Sequence, residues 1–345
     1  MKKPTHASHH LLAGLVVALV GAAPAHAQSN MNMSVWIPQV APFVQHALVP
    51  WSKQVEEATA GRVKISMLSK AVAAPPGHLD AVRDGLADVA FTVQGYTPGR
   101  FVLTKAVELP FQGDSAESLS VAYQRVHDRY LAKANEHQGV QVLAVFAHGP
   151  GAVFTAKKAI LKVEDFAGLK IRTGGGVVND LGTALGVTPV MKAASESYEI
   201  LSSGIADGVF FARESIITFK LTNLIKHATL IPGGMFNTSF VLMMNEAKFK
   251  ALSPADRAAV MQVSGESFGR MAGRSFDDSD KKGVEAMRQA NVDVRTADAA
   301  LIEQIRKVTQ PVVDTWIAEA SKKGVDGRQV IEALRAESRR VAEGK

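Results

Sequence analysis

An α/β fold of two similar lobes is predicted by three features of the sequence. The chain has 345 residues, more than one hydrophobic core usually serves. Strand-like and helical patterns alternate along it, which indicates parallel sheets joined by crossover helices. Two short segments also recur in the same order: GRVKISM (61–67) resembles GLKIRT (168–173), and GLADVAF (85–91) resembles GIADGVF (204–210). The repeated strand–helix–strand unit predicts two related lobes.

The first 27 residues predict export. Two lysines near the start precede an uncharged apolar run, Leu11–Ala23, and the small residues Ala25 and Ala27 follow it. This order is typical of a secretory signal peptide, and the run is shorter than the roughly 20 residues that span a bilayer. We therefore expect a signal peptide over 1–27, cleavage after Ala27, and a protein of the periplasm.

The first part of lobe I is predicted over 28–150. Short apolar or alternating runs there indicate strands, and longer segments with helical periodicity indicate helices. The predicted strands are Met33–Ile37, Val63–Met67, Asp88–Val93 and Val140–Phe146. The predicted helices are Phe43–Thr59, Leu79–Asp84 and Ser115–Gln138. A Gly-Pro-Gly turn at 149–151 is suited to lead the chain into the next lobe.

Lobe II is predicted over 151–236, where the repeated unit occurs again. From 237 to 345 the chain is expected to return to lobe I. A charged helical pattern runs from Pro254 to Asn291, and at about 1.5 Å per residue such a helix is long enough to lie across both lobes. Two further helices are predicted at Ala299–Lys323 and Asp326–Ala342, each with a polar, solvent-facing side.

Composition and motifs argue against most kinds of catalysis. The chain contains no cysteine, so thiolate catalysis and thiolate metal sites are excluded. It also lacks the H-E-x-x-H and Walker patterns. The string GESFG (265–269) matches G-x-S-x-G, but it lies within the helical pattern that begins at Pro254 and not at the strand-to-helix turn of a nucleophile elbow. The formal net charge is +6, but basic and acidic residues are interleaved, unlike a nucleic-acid-binding surface. We expect no enzyme activity, no cofactor, no metal and no nucleic-acid partner.

Arg172 is the strongest candidate for a binding residue. It ends a predicted buried strand and is followed by Thr173 and three glycines. Open α/β folds bind ligands at this end of their strands. The planar guanidinium suits a carboxylate, to which it can donate two charge-assisted hydrogen bonds. A surface arginine or an internal ion pair would explain the residue equally well from periodicity alone.

Seven segments of the sequence together carry a resemblance to one family. They are EEATAGRVKISM (56–67), DAVRDGLADVAF (80–91), ELPF (108–111), DFAGLKIRT (165–173), ALGVTPV (184–190), SESYEILSSGIADG (195–208) and SFVLMMN (239–245). In this order they resemble the receptors of tripartite ATP-independent periplasmic (TRAP) transporters of the C4-dicarboxylate-receptor type, and the match covers nearly all of residues 28–345. No single segment is diagnostic, but the ordered set is specific.

The resemblance implies a two-lobed periplasmic binding protein, type II-like, with a ligand cleft between the lobes and a long helix spanning both. It also implies that Arg172 clamps the carboxylate of a small ligand. The receptor would then deliver this ligand to the small and large integral membrane subunits of a TRAP permease. A monomer is expected.

Departures from the family pattern predict the character of the ligand. Many relatives carry a second arginine near the position of Gly151, a Gln-Glu-Asn-Pro segment at 209–212, and an aromatic residue at the position of Ala194. Here Phe211 takes a ligand-facing position, Phe210 belongs either to the strand core or to the pocket, and Ala194 leaves space. An aromatic or branched aliphatic monocarboxylate is therefore favoured.

Four polar residues in loops after strands are further candidates for ligand contact. They are Gln39, Gln94, His148 and Asn237. Each could equally form a turn or hydrogen-bond within its own loop.

Two other functions remain open from the sequence. A receptor that serves a sensor kinase would have the same fold. A periplasmic lyase acting on an organic acid would need a general base near the ligand, and His148 and Glu214 are the candidates for it.

Overall fold

The fold is described from a computed structural model, which covers residues 28–344. The predicted signal peptide, 1–27, lies outside the described residues. Eleven strands are present in the described part of the chain. In chain order they are β1 Ser29–Ser34, β2 Val63–Met67, β3 Val89–Val93, β4 Val140–Ala147, β5 Ala152–Thr155, β6 Lys170–Thr173, β7 Thr188–Met191, β8 Gly208–Phe211, β9 His227–Leu230, β10 Ser239–Asn245 and β11 Asp293–Thr296.

The first sheet has five strands in the order β2-β1-β3-β10-β4. Strand β1 is parallel to β2 and β3, whereas β10 is antiparallel to β3 and β4. All five residues of β3 are buried, as expected for a strand that is covered on both faces. Because β10 inserts between β3 and β4, the chain returns to this sheet after forming β5 to β9 of the second one.

The second sheet has six strands in the order β11-β9-β5-β8-β6-β7. Strand β6, which carries Arg172, is parallel to β7 and β8. Strand β11 is parallel to β9, so Asp293–Thr296 belongs to the second sheet. The boundaries of the lobes stay a prediction. The assignment of all of 237–345 to lobe I did not include a strand of the second sheet in this range.

Eleven helices of the described residues cover the two sheets. They are α1 Val49–Ala58, α2 His78–Arg83, α3 Ala116–Val126, α4 Val177–Ala184, α5 Ser197–Ser202, α6 Ser215–Thr218, α7 Glu246–Ala251, α8 Pro254–Gln262, α9 Gly265–Gln289, α10 Ala299–Lys322 and α11 Gly327–Ala342. The helix predicted from Ser115 is shorter than expected, because it passes into a π-turn at His127–Leu131. The pattern predicted from Pro254 to Asn291 is two helices, α8 and α9.

Helix α9 connects the two halves of the molecule. Its 25 residues extend for about 37 Å, and it packs against β4 of the first sheet and β11 of the second. Two of its glycines permit close approach to other elements. A Cβ at Gly273 would collide with the backbone of Glu117 in α3, and a Cβ at Gly283 would collide with the carbonyl of Arg213. The predicted two-lobed α/β fold with a long spanning helix is confirmed.

Candidate functional site

A cavity lies between the two sheets and receives side chains from both. It encloses about 660 Å³ of space not filled by atoms, including solvent at its mouth. Aromatic side chains are the largest class in its wall, which also carries a few polar groups. The aromatic residues are Trp36, Phe43, Phe91, Tyr96, Phe210, Phe211, Phe219, Phe236, Phe240 and Phe276.

Arg172 supplies the cation of this cavity. Parallel pairing of β6 with β8 sets Arg172 beside Val209, and only 2% of Arg172 is exposed. Its Nε and Nη2 both donate to the carbonyl of Lys192, at 2.9 and 2.6 Å. This carbonyl orients the guanidinium but cannot neutralise it. The remaining N–H groups stay available for the Tyr96 side of the cavity and for a ligand.

The charge of Arg172 has no carboxylate partner among residues 28–344. Glu196 acts on it only through space and forms its own ion pair with Lys192 at 3.0 Å. Burial lowers the pKa of Arg172, and the neighbouring Tyr96 opposes that shift. An arginine nevertheless stays protonated in proteins. A buried cation without a counter-ion is costly, so the cavity is electrostatically suited to an anion.

Phe211 contacts the guanidinium directly. The Arg172 Cζ atom lies 4.4 Å from the centroid of the Phe211 ring, within the range of a cation–π interaction. Phe211 also stacks on Phe219, with centroids 5.6 Å apart. Phe43 and Phe276, from a different core cluster, also line the cavity and stack with centroids 5.0 Å apart. The cavity therefore presents stacked rings from two core clusters.

Tyr96 joins the two halves of the molecule at Arg172. It follows β3 of the first sheet, and its hydroxyl accepts a hydrogen bond of 2.9 Å from the backbone N–H of Ala194, in the second half. Ala194 lines the cavity and contributes little bulk there. Burial raises the pKa of Tyr96 and the positive charge of Arg172 opposes the rise.

His148 presents a hydrogen-bond acceptor. Its Nδ1 atom lies 2.6 Å from the carbonyl oxygen of Gly149. Because a carbonyl only accepts, Nδ1 carries the ring proton. Burial lowers the pKa of His148 to about 4, so the ring is neutral near pH 7 and Nε2 is unprotonated.

Glu214 is the carboxyl group of the cavity wall. Its two oxygens accept hydrogen bonds from the hydroxyls of Ser215, at 2.6 Å, and Thr218, at 2.7 Å. Its backbone N–H donates to Asp280 of α9 at 2.8 Å. Burial raises the pKa of both carboxyl groups, that of Asp280 to about 7.

A second arginine is sterically excluded at position 151. A Cβ at Gly151 would lie only 2.5 Å from the ring of Phe236, and contacts below 3.0 Å require something to shift. Phe236 lines the cavity and packs against Phe210, with centroids 6.2 Å apart. The ring thus occupies the space that a longer side chain at 151 would need.

The structure brings five of the eight predicted residues to the cavity. These are Ala194, Arg172, His148, Phe210 and Phe211. Whether they bind a ligand stays a prediction. Phe210 also packs in the core against Phe166, so it combines the two roles left open for it.

The other three predicted residues lie elsewhere. Gln39 is exposed, and its amide donates to the carbonyl of Leu68. The side-chain amide of Gln94 is hydrogen-bonded to Tyr123 and His137. Asn237 donates to the carbonyls of His148 and Gly149 and thereby holds the crossing between the sheets. These local hydrogen bonds explain why none of the three lines the cavity.

Most residues of the cavity wall were not predicted from the sequence. Tyr96 is only two residues from Gln94, in a loop that was recognised as a ligand loop. Phe240 lies in the quoted segment SFVLMMN, a mainly apolar run in which every residue is buried, so the sequence does not show which side chains face the cavity. Phe276 lies on α9, and nothing in the sequence places that helix over this cavity.

Comparisons with known proteins agree with the geometry. Residues 34–320 match the family described as "Bacterial extracellular solute-binding protein, family 7". A TRAP periplasmic solute-binding protein from Bordetella bronchiseptica, solved with bound (R)- and (S)-mandelate, is 43% identical with a TM-score of 0.88, over 90% of this chain and 99% of that one.

Two further similarities cover almost the whole chain. A marine metagenome TRAP solute-binding protein "specific for aromatic acid ligands", from an unidentified microbe and solved with 3-hydroxybenzoate, is 29% identical with a TM-score of 0.85, over 91% of this chain and 99% of that one. "Outer membrane transporter protein TsaT" of Comamonas testosteroni is 30% identical over 93% of this chain and 96% of its own length. Family match, fold and cavity lead to one conclusion: the chain belongs to family 7 of the bacterial extracellular solute-binding proteins, the DctP-type solute-binding proteins of TRAP transporters.

Proposed function

We propose that this protein is the periplasmic receptor of a TRAP transporter and captures an aromatic monocarboxylate, which it delivers to the small and large membrane subunits of the permease. The observation that carries the proposal is the buried guanidinium of Arg172, which has no carboxylate partner among the described residues and faces an aromatic cavity. Within residues 28–344, no helix has the length and apolarity needed to cross a membrane.

One carboxylate is the charge that this cavity can neutralise. Arg172 offers a planar donor edge, and a carboxylate can accept two of its hydrogen bonds. A second carboxylate would lack a cation, because the Phe236 ring fills the space at Gly151. Burying an unpaired charge costs several kcal/mol. A monocarboxylate is therefore favoured over a dicarboxylate.

An aromatic ring is the group that best fits the rest of the cavity. Removing such a ring from water contributes about 1.5–3 kcal/mol, and each favourable ring–ring contact adds about 0.5–1.5 kcal/mol. Phe211 and Phe210 supply such contacts on the Arg172 side, and Ala194 leaves room there. A branched aliphatic acid would gain the burial but not the ring contacts. The aromatic acids named for the two TRAP relatives support the same ligand class.

Isothermal titration calorimetry with a panel of acids tests the proposal. Benzoate, mandelate and phenylacetate should bind, whereas succinate and a hexuronate should not. Recovery of each acid chemically unchanged after incubation would agree with a receptor, and its conversion would favour the lyase. Tight binding of succinate or hexuronate, with no heat from any aromatic acid, would overturn the proposal.

A further inference from the structure

We propose that Glu214 is a specificity-determining residue and that it selects aromatic acids bearing a hydroxyl group on the ring, away from the carboxylate. The inference rests on the proposed function, because it assumes that Arg172 holds the carboxylate of an aromatic acid. It adds a second polar contact, at a part of the cavity wall formed by Glu214, Ser215 and Thr218.

The carboxyl group of Glu214 lacks a cation. No ion pair involves it among residues 28–344, and its hydrogen-bond partners are the two neutral hydroxyls of Ser215 and Thr218. The residue as a whole is partly exposed and lines the cavity. Each carboxylate oxygen has two acceptor sites, so one hydroxyl on each oxygen leaves acceptor capacity for a ligand.

The backbone turn at position 214 does not depend on the carboxyl group. The turn into α6 is closed by the backbone carbonyl of Glu214, which accepts from the N–H groups of Ile217 and Thr218. An apolar or amide side chain would leave these bonds intact. An acid that lines an otherwise aromatic wall without a cation partner costs desolvation, and a ligand that donates to it would offset this cost.

Glu214 is also held in a fixed position. Asp280 is 3% exposed and accepts the N–H of Glu214 at 2.8 Å, which ties the residue to α9. The Phe211 ring contacts Arg172 and also Phe219, and Phe219 is adjacent to Thr218. Arg172 and Glu214 both line the cavity, and the stacked rings of Phe211 and Phe219 connect their positions in its wall.

A hydroxyl is the ring substituent that matches this group best. It donates to a carboxylate, and it both donates to and accepts from a protonated carboxyl. A methyl group has nearly the same size but would leave the acceptor sites of Glu214 unpaired. Loss of a hydrogen bond to a charged or buried partner is selective, because the unpaired group keeps its desolvation cost.

Wild-type protein provides the first test by calorimetry. The probes are benzoate, meta- and para-hydroxybenzoate, and the corresponding toluates, in which a methyl group replaces the hydroxyl. At least one hydroxybenzoate should bind about tenfold or more tightly than its toluate. If benzoate and its derivatives all fail to bind, the proposed function is wrong and the inference falls with it. If benzoate binds but no hydroxybenzoate binds more tightly than the corresponding toluate, only the inference is overturned.

Variants then assign the preference to Glu214. Glu214→Met should reverse it in favour of the toluate, and Glu214→Gln should reduce it to within about threefold, since an amide is a weaker acceptor. Glu199→Gln, on an exposed residue of α5, is the control and should leave the ratio as in wild type. A hydroxybenzoate preference that survives in both Glu214 variants would assign the contact to another residue and refute the inference. The wild-type ratio keeps the test decisive if a variant does not fold.

Discussion

Replacing Arg172 by methionine should abolish most ligand binding while leaving the unliganded protein folded. Truncating one partner of a buried, hydrogen-bonded charge pair costs about 2–5 kcal/mol. That loss corresponds to an increase in Kd of about 30-fold to several thousand-fold. Arg172→Lys should fall in the same range at its lower end, because an ammonium cannot form the two-point contact of a guanidinium.

The stability of the unliganded variant follows from two opposing contributions. Without Arg172, the carbonyl of Lys192 loses both of its hydrogen bonds from the guanidinium, and leaving this part-buried acceptor unpaired costs at most about 1–3 kcal/mol. Removing a buried cation that has no counter-ion relieves a desolvation penalty of similar or larger size. We expect near cancellation, with a net change within about 1 kcal/mol, or roughly 1–2 °C in Tm for a chain of this length.

Calorimetry with benzoate or mandelate measures the binding loss, and thermal denaturation without ligand measures the stability. Arg295→Met is a suitable control, because Arg295 lies in the same sheet but is exposed and paired with Asp293. It should bind as wild type does. If Arg172→Met binds an aromatic acid within about threefold of wild type, below roughly 0.7 kcal/mol, the carboxylate clamp is refuted.

Four other perturbations have defined outcomes. Burial raises the pKa of Asp280 to about 7. The stability that its protonated form contributes is therefore lost as the pH rises through that value. Between about pH 5 and pH 8, the Tm of Asp280→Asn should fall less than the Tm of the wild type. Glu108 accepts from Ser239 and from the N–H of Val177 at the start of α4; Glu108→Gln should lower stability by about 1–3 kcal/mol in denaturant unfolding, because the amide cannot accept on both sides. Small-angle scattering should show a smaller radius of gyration on ligand binding, as in hinge closure, and an unchanged radius at saturation would argue for a preclosed receptor. Amino-terminal sequencing of protein released by osmotic shock should begin at Gln28, whereas an uncleaved terminus in the membrane fraction would contradict export.

Local patterns predicted the elements whose sequence carries its own periodicity. Strand β2 was predicted with the bounds observed, because VKISM alternates between buried and exposed residues. Strand β1 was misplaced at Met33–Ile37, because the prediction relied on the apolar run there. The observed strand is marked instead by the alternation in SNMNMS, in which Met31 and Met33 are buried. A two-residue break between Gln262 and Gly265 divides the predicted long helix, and no proline marks it.

The site was predictable only where one residue carries an unusual chemical property. Arg172 was singled out because it ends a predicted buried strand just before three glycines, and the family resemblance, not periodicity, favoured a ligand contact over an internal ion pair. Loops that follow strands were expected to face the ligand, and this expectation pointed to the loop of Gln94. It does not predict which side chain of that loop faces the cavity. The side chain of Tyr96 faces Arg172, whereas the side chain of Gln94 forms hydrogen bonds with Tyr123 and His137. Contacts such as these depend on tertiary packing.

The arrangement around Arg172 couples charge neutralisation to the contact between the lobes. A carboxylate partner within the protein would cancel the guanidinium charge, but the carbonyl of Lys192 only fixes its direction. The hydroxyl of Tyr96, from the first sheet, lies beside this charge and accepts the N–H of Ala194 from the second half. If Arg172 binds a ligand carboxylate as proposed, that carboxylate would lie beside a contact between the two halves. Its binding energy would then favour the state in which they are in contact.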